Sequence, residues 1–575
     1  MATFSVWAPH ARSVAVRAGG SDHPMKADGA WWHAEVSGIG PGSDYFFVVD
    51  GGKPVPDPRS AFQPEGIHGP SRLVDHSLFQ WTDHGWQPGP FGAAIVYELH
   101  IGTFTAGGTF ESAVERLDYL AGLGVTHVEL MPVNEFSGAW GWGYDGVDLY
   151  APHHAYGGPQ GLKRFVDACH ARGLAAILDV VYNHLGPSGN YLAMFGPYFT
   201  GRHSTPWGEA VNLDGPESDE VRRFLIDNAL MWLRDYDFDG LRLDAVHALV
   251  DTSAVHFLEQ LTDEVRRLED ITGRRKVLIA ESDLNDPHIV RSREAGGYGL
   301  DAQWSDDFHH ALHSVLAGET SGYYEDFGKI RDIAKALEQT FVYAGHFSVH
   351  RRRKHGRPAS DVSSHRFLGY SQTHDQVGNR ARGERLCHLA GVRRAKIGAA
   401  LTLTSPFVPM LFQGEEFAAS TPFQYFTQHN EEQLAKAVLE GRRREFAGFG
   451  WRPEDVPDPQ DPQTFQRSKL NWDEIGTGEH QEMLDWYRDL IRLRRGQPAL
   501  AAGRNSTFAV EYSETEKWLS MQRGEVGVAC NFGTRIASIP ARGVRSILLS
   551  SEGGMKIVGD AVIAPPNSVI VHLNS

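Results

Sequence analysis

The sequence predicts an α/β protein built on a (β/α)8 TIM barrel, with an N-terminal β-sandwich and a C-terminal all-β domain. Three observations carry that prediction. The middle of the 575-residue chain alternates apolar runs of strand length with amphipathic stretches of helix length, and it supplies eight such strands. Both flanks show short strands broken by Gly and Pro instead. Two of the central runs, Gly-Leu-Arg-Leu-Asp-Ala-Val-His (240–247) and Val-Leu-Ile-Ala-Glu (277–281), each end in an acid and are joined by a helix-like segment (252–268), the grammar of a βαβ unit.

From residue 4 to about 74 the strands are Phe-Ser-Val-Trp (4–7), Val-Ala-Val-Arg (14–17), Trp-Trp-His-Ala-Glu-Val (31–36) and Tyr-Phe-Phe-Val-Val-Asp (45–50). That spacing predicts a small sandwich of the glycan-binding type within residues 1–90. Trp7 is expected in its core, whereas Trp31 and Trp32 suit either the core or the face of a sugar. A Pro-rich passage (54–70) and a Gly/Pro cluster ending near Gly92 connect it to the barrel, taken as 91–497.

Ala-Ile-Val-Tyr-Glu-Leu (94–99) is the first barrel strand. Thr109 is a candidate N-cap for a helix with a Val114, Leu117, Leu120 and Leu123 stripe, ended by Gly124. Residues 126–131 form the second strand and 174–181 the third, after a helix whose apolar stripe includes Cys169, read as a buried small hydrophobe. Residues 183–216, rich in Gly, Pro, Tyr and Phe, are long for a structureless loop and are read as a short functional insertion. A helix through Val221, Phe224, Leu225 and Trp232 leads to the fourth strand at Gly240, and the fifth ends at Glu281. Residues 300–304, 367–372 and 409–413 supply the last three. Beyond 498, strands at 518–522, 526–529 and 568–572 make the C-terminal β-domain, 498–575.

Bulk properties narrow the function. A formal charge of −17 argues against nucleic acid or an anionic membrane as partner and favours a neutral substrate. The basic run at 350–357 is a local exception, read as a solvated or ion-paired segment. Three cysteines, Cys169, Cys387 and Cys530, lie far apart without metal-ligand spacing and fit a reducing compartment. The N-terminus lacks a basic leader followed by an apolar stretch, and the longest apolar run (399–412) is broken by Pro406 and Pro409, so the protein is expected in the cytoplasm. The sequence does not give the oligomeric state.

Barrel active sites lie at the C-terminal ends of the strands. That rim receives Asp179, Asn183 and His184 after the third strand, Arg242 and Asp244 on the fourth, Glu281 on the fifth, and His374 and Asp375 after the seventh. Adjacent strands are about 4.8 Å apart, so Asp244 and Glu281 should come within the roughly 5–5.5 Å of a retaining glycosidase. Period-2 alternation points Arg242 to the same face as Asp244, keeping that acid ionised as a nucleophile. Glu281 follows four apolar residues with no neighbouring cation in sequence, which suits a proton donor. No metal is expected, because the cluster lacks the short-spaced His pair or Cys set of a zinc site. Aromatics gather on the same rim: Trp140, Trp142, Tyr144 and Tyr150, then Tyr182, Tyr191, Phe195, Tyr198 and Trp207. Trp142 and Tyr144 are the best candidates for sugar platforms, since Gly141 and Gly143 leave them few local packing partners.

Four ordered segments, Asp-Val-Val-Tyr-Asn-His (179–184), Gly-Leu-Arg-Leu-Asp-Ala (240–245), Ala-Glu-Ser-Asp (280–283) and Thr-His-Asp-Gln-Val-Gly-Asn (373–379), resemble the signature regions of the α-amylase superfamily of glycoside hydrolases. The resemblance implies Asp244 as nucleophile, Glu281 as general acid/base and Asp375 as transition-state stabiliser, with Tyr144, His184, Arg242 and His374 on the reacting glucose. Asp179, His247 and Asn379 complete the expected substrate contacts, and Asp307 and His309 are weaker candidates.

Further segments (135–148, 196–199, 413–423, 457–462) are similar to the maltooligosyltrehalose trehalohydrolase family, which implies release of trehalose from a maltooligosyl chain in trehalose biosynthesis. Typical α-amylases carry Lys-His three and four residues after the nucleophile; here those positions are His247 and Ala248, so the leaving-group pocket should differ. Asn183 matches a calcium ligand of α-amylases, but no second oxygen set accompanies it, and no cofactor is expected. A glycogen-branching transferase is the alternative within the fold, and a silent glucan-binding scaffold the alternative outside catalysis; the intact acidic three speak against the latter.

Overall fold

Eight parallel strands close into a barrel: Val96–Leu99, His127–Leu130, Ala175–Val180, Gly240–Leu243, Val277–Ala280, Ala302–Trp304, Phe367–Tyr370 and Val408–Phe412, the last pairing back onto the first. The computed structural model describes residues 1–447, 451–504 and 507–574. Nearly every residue of these staves is buried, since helices cover the outside and side chains fill the lumen, which is why the runs read as apolar without alternation. The lumen is packed by Val96, Ile177, Ile279, Ala302, Trp304, Leu368, Tyr370, Val408 and Met410. Above that apolar layer, nearer the C-terminal rim, the same inward positions carry Glu98, Asp179 and Arg242, all at most 3 % exposed.

The central βαβ unit follows the sequence closely. Gly240–Leu243 pairs with Val277–Ala280 in parallel, Leu243 opposite Ala280, so Asp244 and Glu281 leave adjacent staves at matching heights. Gly240 permits that approach, because a Cβ there would lie 2.6 Å from the Val277 carbonyl oxygen. The intervening helix, Phe257–Thr272, buries Phe257, Leu258, Leu261, Val265 and Leu268, and Gly273 ends it at φ 68°. It begins later than expected, because Asp251 accepts from the Ser253 and Phe257 amides and folds residues 251–257 into a turn.

Two other elements differ from expectation. Thr109 does cap a helix, accepting from the Ser112 amide at 3.2 Å, but the stretch to Gly124 divides into Phe110–Val114 and Leu117–Leu123, the Arg116 amide tightening onto the Ala113 carbonyl between them. The insertion at 183–216 holds a short 3-10 turn, Leu192–Met194, and an antiparallel hairpin, Phe199–Thr205 with Gly208–Val211. Its Phe195 and Tyr198 are buried edge-on against Phe47 and Trp7 of the N-terminal sheets, so two of the insertion's five aromatic residues serve packing there.

Those N-terminal sheets are three-stranded (Ala2–Trp7, Trp31–Val36, Lys26–Asp28) and four-stranded (Ser21–Pro24, Val14–Ala18, Asp44–Val49, Ser71–Arg72). Trp7 is core, at 4 % exposure. Trp32 donates to the Ala8 carbonyl, and Arg59 lies over Trp31. At the other end, a five-stranded and a three-stranded sheet are built between Ala509 and Asn574. Cys169 and Cys530 are buried free thiols, and Cys387 is half-buried. Among the described residues no helix is long and apolar enough to cross a membrane. Gly240→Ala is expected to cost about 1–3 kcal/mol by forcing the fourth and fifth staves apart, read as a lower denaturant midpoint.

Candidate active site

A cavity of about 830 Å³ opens over the C-terminal rim, lined by Trp142, Tyr144, His184, Asp244, His247, Glu281, His374 and Asp375 among others. Its floor is organised by Arg242, which is 1 % exposed. Arg242 Nη1 donates to both carboxylate oxygens of Asp179 at 2.8 Å and to Asp244 Oδ1 at 2.9 Å, and Nη2 lies 3.3 Å from Glu281 Oε2. The guanidinium carbon sits 4.3 Å from the Trp304 ring centre, an orientation that favours a cation. Asp179 and Arg242 are therefore beneath the cavity rather than on its wall.

The two acids diverge chemically. Burial alone would lift the Asp244 carboxyl, but Arg242, His184 and the Asn183 amide, 2.7 Å from Asp244 Oδ2, more than offset it and hold it below the ordinary aspartate range. Burial also lifts Glu281 well above the ordinary range, and there the charges of Asp244, Asp375 and Asp306 reinforce burial against Arg242. The sequence showed no cation near Glu281; the fold brings one, and burial with the acidic surroundings outweighs it. Ala245 adopts the left-handed conformation, φ 39°, and its amide donates to Glu281 Oε2 at 2.6 Å.

A second chain of hydrogen bonds runs beside them. Tyr144 donates to Asp179 Oδ2 at 2.6 Å, so its oxygen is left to accept from His374 Nε2 at 2.8 Å. His374 Nδ1 lies 2.5 Å from Glu98 Oε1, and the His374 amide donates to Glu98 Oε2 at 2.9 Å. Both ring nitrogens thus face oxygens, an arrangement that favours imidazolium; burial opposes that charge, and Glu98 raises the His374 pKa against it. Glu98 belongs to this network and was not anticipated from the sequence. An acid inside the apolar run 94–99 was the available signal, because a carboxylate is not left in a buried strand without a partner.

His184 Nε2 donates to the Tyr144 carbonyl oxygen, its Nδ1 lies against Asn183 Oδ1, and its ring stacks on Trp207 with the centres 4.6 Å apart. Since that carbonyl oxygen can only accept, His184 Nε2 carries the proton. The Asn183 amide is committed to Asp244 and His184. Trp142 is more enclosed than its flanking glycines suggested: it is 5 % exposed, stacks on Phe423, meets Tyr425 edge-on and donates to the Gln424 carbonyl. Those partners come from nearly 300 residues away, out of reach of local reasoning.

Asp307 and His309 are not brought to the cavity. Asp307 accepts from Asn285 Nδ2 and the Tyr343 amide, both at 2.8 Å, and His309 is held by the Ser371 carbonyl and the Tyr324 hydroxyl. Asp306 faces the acids instead: Tyr370 donates to it at 2.5 Å, and burial pushes its pKa up to about 7. One residue is about 100° of helix rotation, enough to exchange rim for interior in the first turn of Asp306–Ala317. Asn379 also stays off the cavity wall, donating to Asp375 Oδ1 at 2.6 Å. Tyr425, His429, Leu434 and Val438 line the cavity without having been expected.

Comparison with known proteins is consistent with this geometry. Residues 76–195 match the alpha-amylase catalytic domain. Malto-oligosyltrehalose trehalohydrolase of Rhizobium sp. (strain M-11) is 49 % identical over 578 residues, covering 99 % of this chain and 97 % of its own. The Mycobacterium tuberculosis protein of that name is 50 % identical over 567 residues, covering 97 % of each. The chain belongs to the malto-oligosyltrehalose trehalohydrolase family. A crystal structure described as an alpha amylase from Salmonella typhimurium shares 40 % identity with this trehalohydrolase-family chain at a TM-score of 0.92, covering 100 % of this chain and 97 % of that one. A branching enzyme from Corynebacterium jeikeium is more distant, 31 % identical over 53 % of the chain. The pullulanase of an Anoxybacillus species shares the fold, with a TM-score of 0.75 at 19 % identity.

For this member of the trehalohydrolase family, removing the Glu98 charge should let the His374 pKa fall, so that imidazolium persists only at lower pH. Glu98→Gln is expected to lower kcat on the order of 100-fold at neutral pH and to shift the pH optimum downward, as measured in a pH–rate profile.

Proposed function

We propose that this protein is a retaining glycoside hydrolase that cleaves the α-1,4 bond next to the terminal trehalose of maltooligosyltrehalose, releasing trehalose and a maltooligosaccharide, as a step of trehalose biosynthesis. The observation that carries the reading is the pair Asp244 and Glu281, on adjacent staves and on one guanidinium, driven to opposite protonation states. Retention needs that combination, because a nucleophile must be ionised while its partner still holds a proton, and both must sit about 5–5.5 Å apart. The names of the full-length relatives support the choice of substrate.

In the first step an Asp244 oxygen bonds to the anomeric carbon as the Glu281 proton passes to the departing trehalose oxygen. In the second, Glu281 takes a proton from water, whose oxygen displaces Asp244 and restores the original configuration. Asp375, half-exposed in the cavity, supplies negative charge to the oxocarbenium-like state. Tyr144, His184 and His374 hold the reacting glucose from the wall, with Arg242 and Asp179 fixing the acids from below. His247, on the wall where α-amylases carry the Lys of their Lys-His pair, faces the leaving group and takes part in accepting trehalose. We assign residues 1–90, 91–497 and 498–575 to N-terminal, catalytic and C-terminal domains, and the reduced thiols favour a cytoplasmic location.

Incubation with maltooligosyltrehalose and, separately, with amylose tests the reading: free trehalose supports it, new α-1,6 branches support a branching transferase, and no reaction removes both. Asp244→Asn should abolish turnover, by at least about 10⁴-fold on the scale of a lost nucleophile, while leaving glucan affinity intact; residual kcat near that of wild type excludes Asp244 as nucleophile. The kcat/KM profile should be bell-shaped, its acid limb set by Asp244 below the ordinary aspartate range and its alkaline limb by Glu281 above the ordinary glutamate range. Arg242→Met should move the acid limb upward, since Asp244 then loses the cation that keeps it ionised.

A further inference from the structure

The helix Glu432–Ala447 follows the eighth stave and forms one side of the cavity with Leu434 and Val438. Arg442 lies one more i, i+4 step along that face. Its Nη1 donates to Asn379 Oδ1 at 2.9 Å and its Nη2 to the Gly378 carbonyl oxygen at 3.0 Å. The guanidinium carbon sits 4.4 Å from the ring centre of Tyr425, itself on the cavity wall, and 4.5 Å from that of Phe446. Asn379 Nδ2 donates in turn to Asp375 Oδ1 at 2.6 Å.

A side-chain amide has a donor end and an acceptor end of nearly equal shape, whereas a guanidinium can only donate. Arg442 therefore draws Asn379 Oδ1 toward itself and leaves Nδ2 facing Asp375. With the amide reversed, its oxygen would confront the carboxylate and two sets of N–H donors would face each other. Asp375 depends on this contact more than Asp244 does. Asp244 is gripped by Arg242 and Asn183, whereas the Asp375 side chain is 41 % exposed and lies 4.0 Å from His374 Nε2.

We propose that Arg442 is a positioning residue for Asp375, acting through the Asn379 amide and tying the helix that walls the glucan cleft to the third catalytic carboxylate. This extends the hydrolytic reading above and rests on it for the role of Asp375. Arg442 itself touches no reacting atom; it fixes the rotamer of the amide that orients one that does.

A double-mutant cycle on the full chain tests this, with kcat and KM for trehalose release and the thermal midpoint measured for wild type, Arg442→Met, Asn379→Ala and the pair. Each single change is expected to lower kcat about 10- to 100-fold with KM within about threefold, and the pair to be no slower than Asn379→Ala alone. Arg442→Lys, which keeps the charge but loses the fork, should recover only part of the rate at an unchanged midpoint. Losses that multiply in the pair, or an Arg442→Met kcat within about twofold of wild type, overturn the proposal. If Arg442→Met does not fold, Arg442→Lys decides: a kcat equal to wild type overturns it. A wild type that cleaves another α-glucan but releases no trehalose refutes only the substrate assignment, and the cycle is run on that glucan. A wild type that cleaves none removes both.

Discussion

One buried cation stands under the whole site. Arg242 is enclosed at the top of the barrel lumen and touches three carboxylates, Asp179, Asp244 and Glu281, from three neighbouring staves. A single positive charge cannot neutralise three negative ones out of water, and ionised acids left uncompensated in a low-dielectric interior cost several kcal/mol each. The surplus is relieved by protons. Which acid takes one follows from its other partners: Asp244 has the Asn183 amide and His184 besides the guanidinium and stays ionised. Glu281 has one backbone amide and a circle of like charges, so its protonated form is favoured. Asp179, pushed up to about 6 by burial against Arg242, takes the Tyr144 proton as a hydrogen bond. The same electrostatic imbalance thus drives the two acids in opposite directions, as the proposed roles of nucleophile and acid require.

The chain Glu98, His374, Tyr144, Asp179 repeats that logic with the sign reversed. A carboxyl in the first stave favours the cationic form of a histidine after the seventh, and a hydroxyl from the loop after the second passes the hydrogen-bond direction on to the third. Every residue in it is buried or nearly so, so each group's orientation is forced by what its neighbours can donate or accept. A rigid floor of this kind costs no reorganisation when charge develops on the sugar, which is where electrostatic catalysis gains most.

The walls are made differently. Floor residues sit on staves or one turn beyond them, whereas Trp207 comes from a hairpin, Tyr425 and His429 from the segment after the eighth stave, and Leu434 and Val438 from a helix beyond that. Loops on a rigid barrel can change the shape of the cleft without disturbing the acids beneath.

The sequence by itself determined the barrel, its eight staves, the flanking β-sheets and the convergence of Asp244, Glu281 and Asp375. All of these follow from local periodicity and from the rule that parallel strands present their C-terminal ends together. It also placed Arg242 beside Asp244, because two residues along a strand share a face. Only the tertiary structure decided the rest. Glu98 was hidden because an acid in an apolar run reads as an interruption until its histidine, 276 positions on, is seen against it. Asp306 replaced Asp307 because helix phase turns on a single residue, finer than sequence signals resolve at a helix start. Trp142 proved to be packed, and Arg442 to reach Asp375 through Asn379, because their partners are remote in sequence. Strand order and facing are set by short-range geometry that a sequence displays; pairings across the barrel top depend on how long loops close over it, which no local pattern encodes.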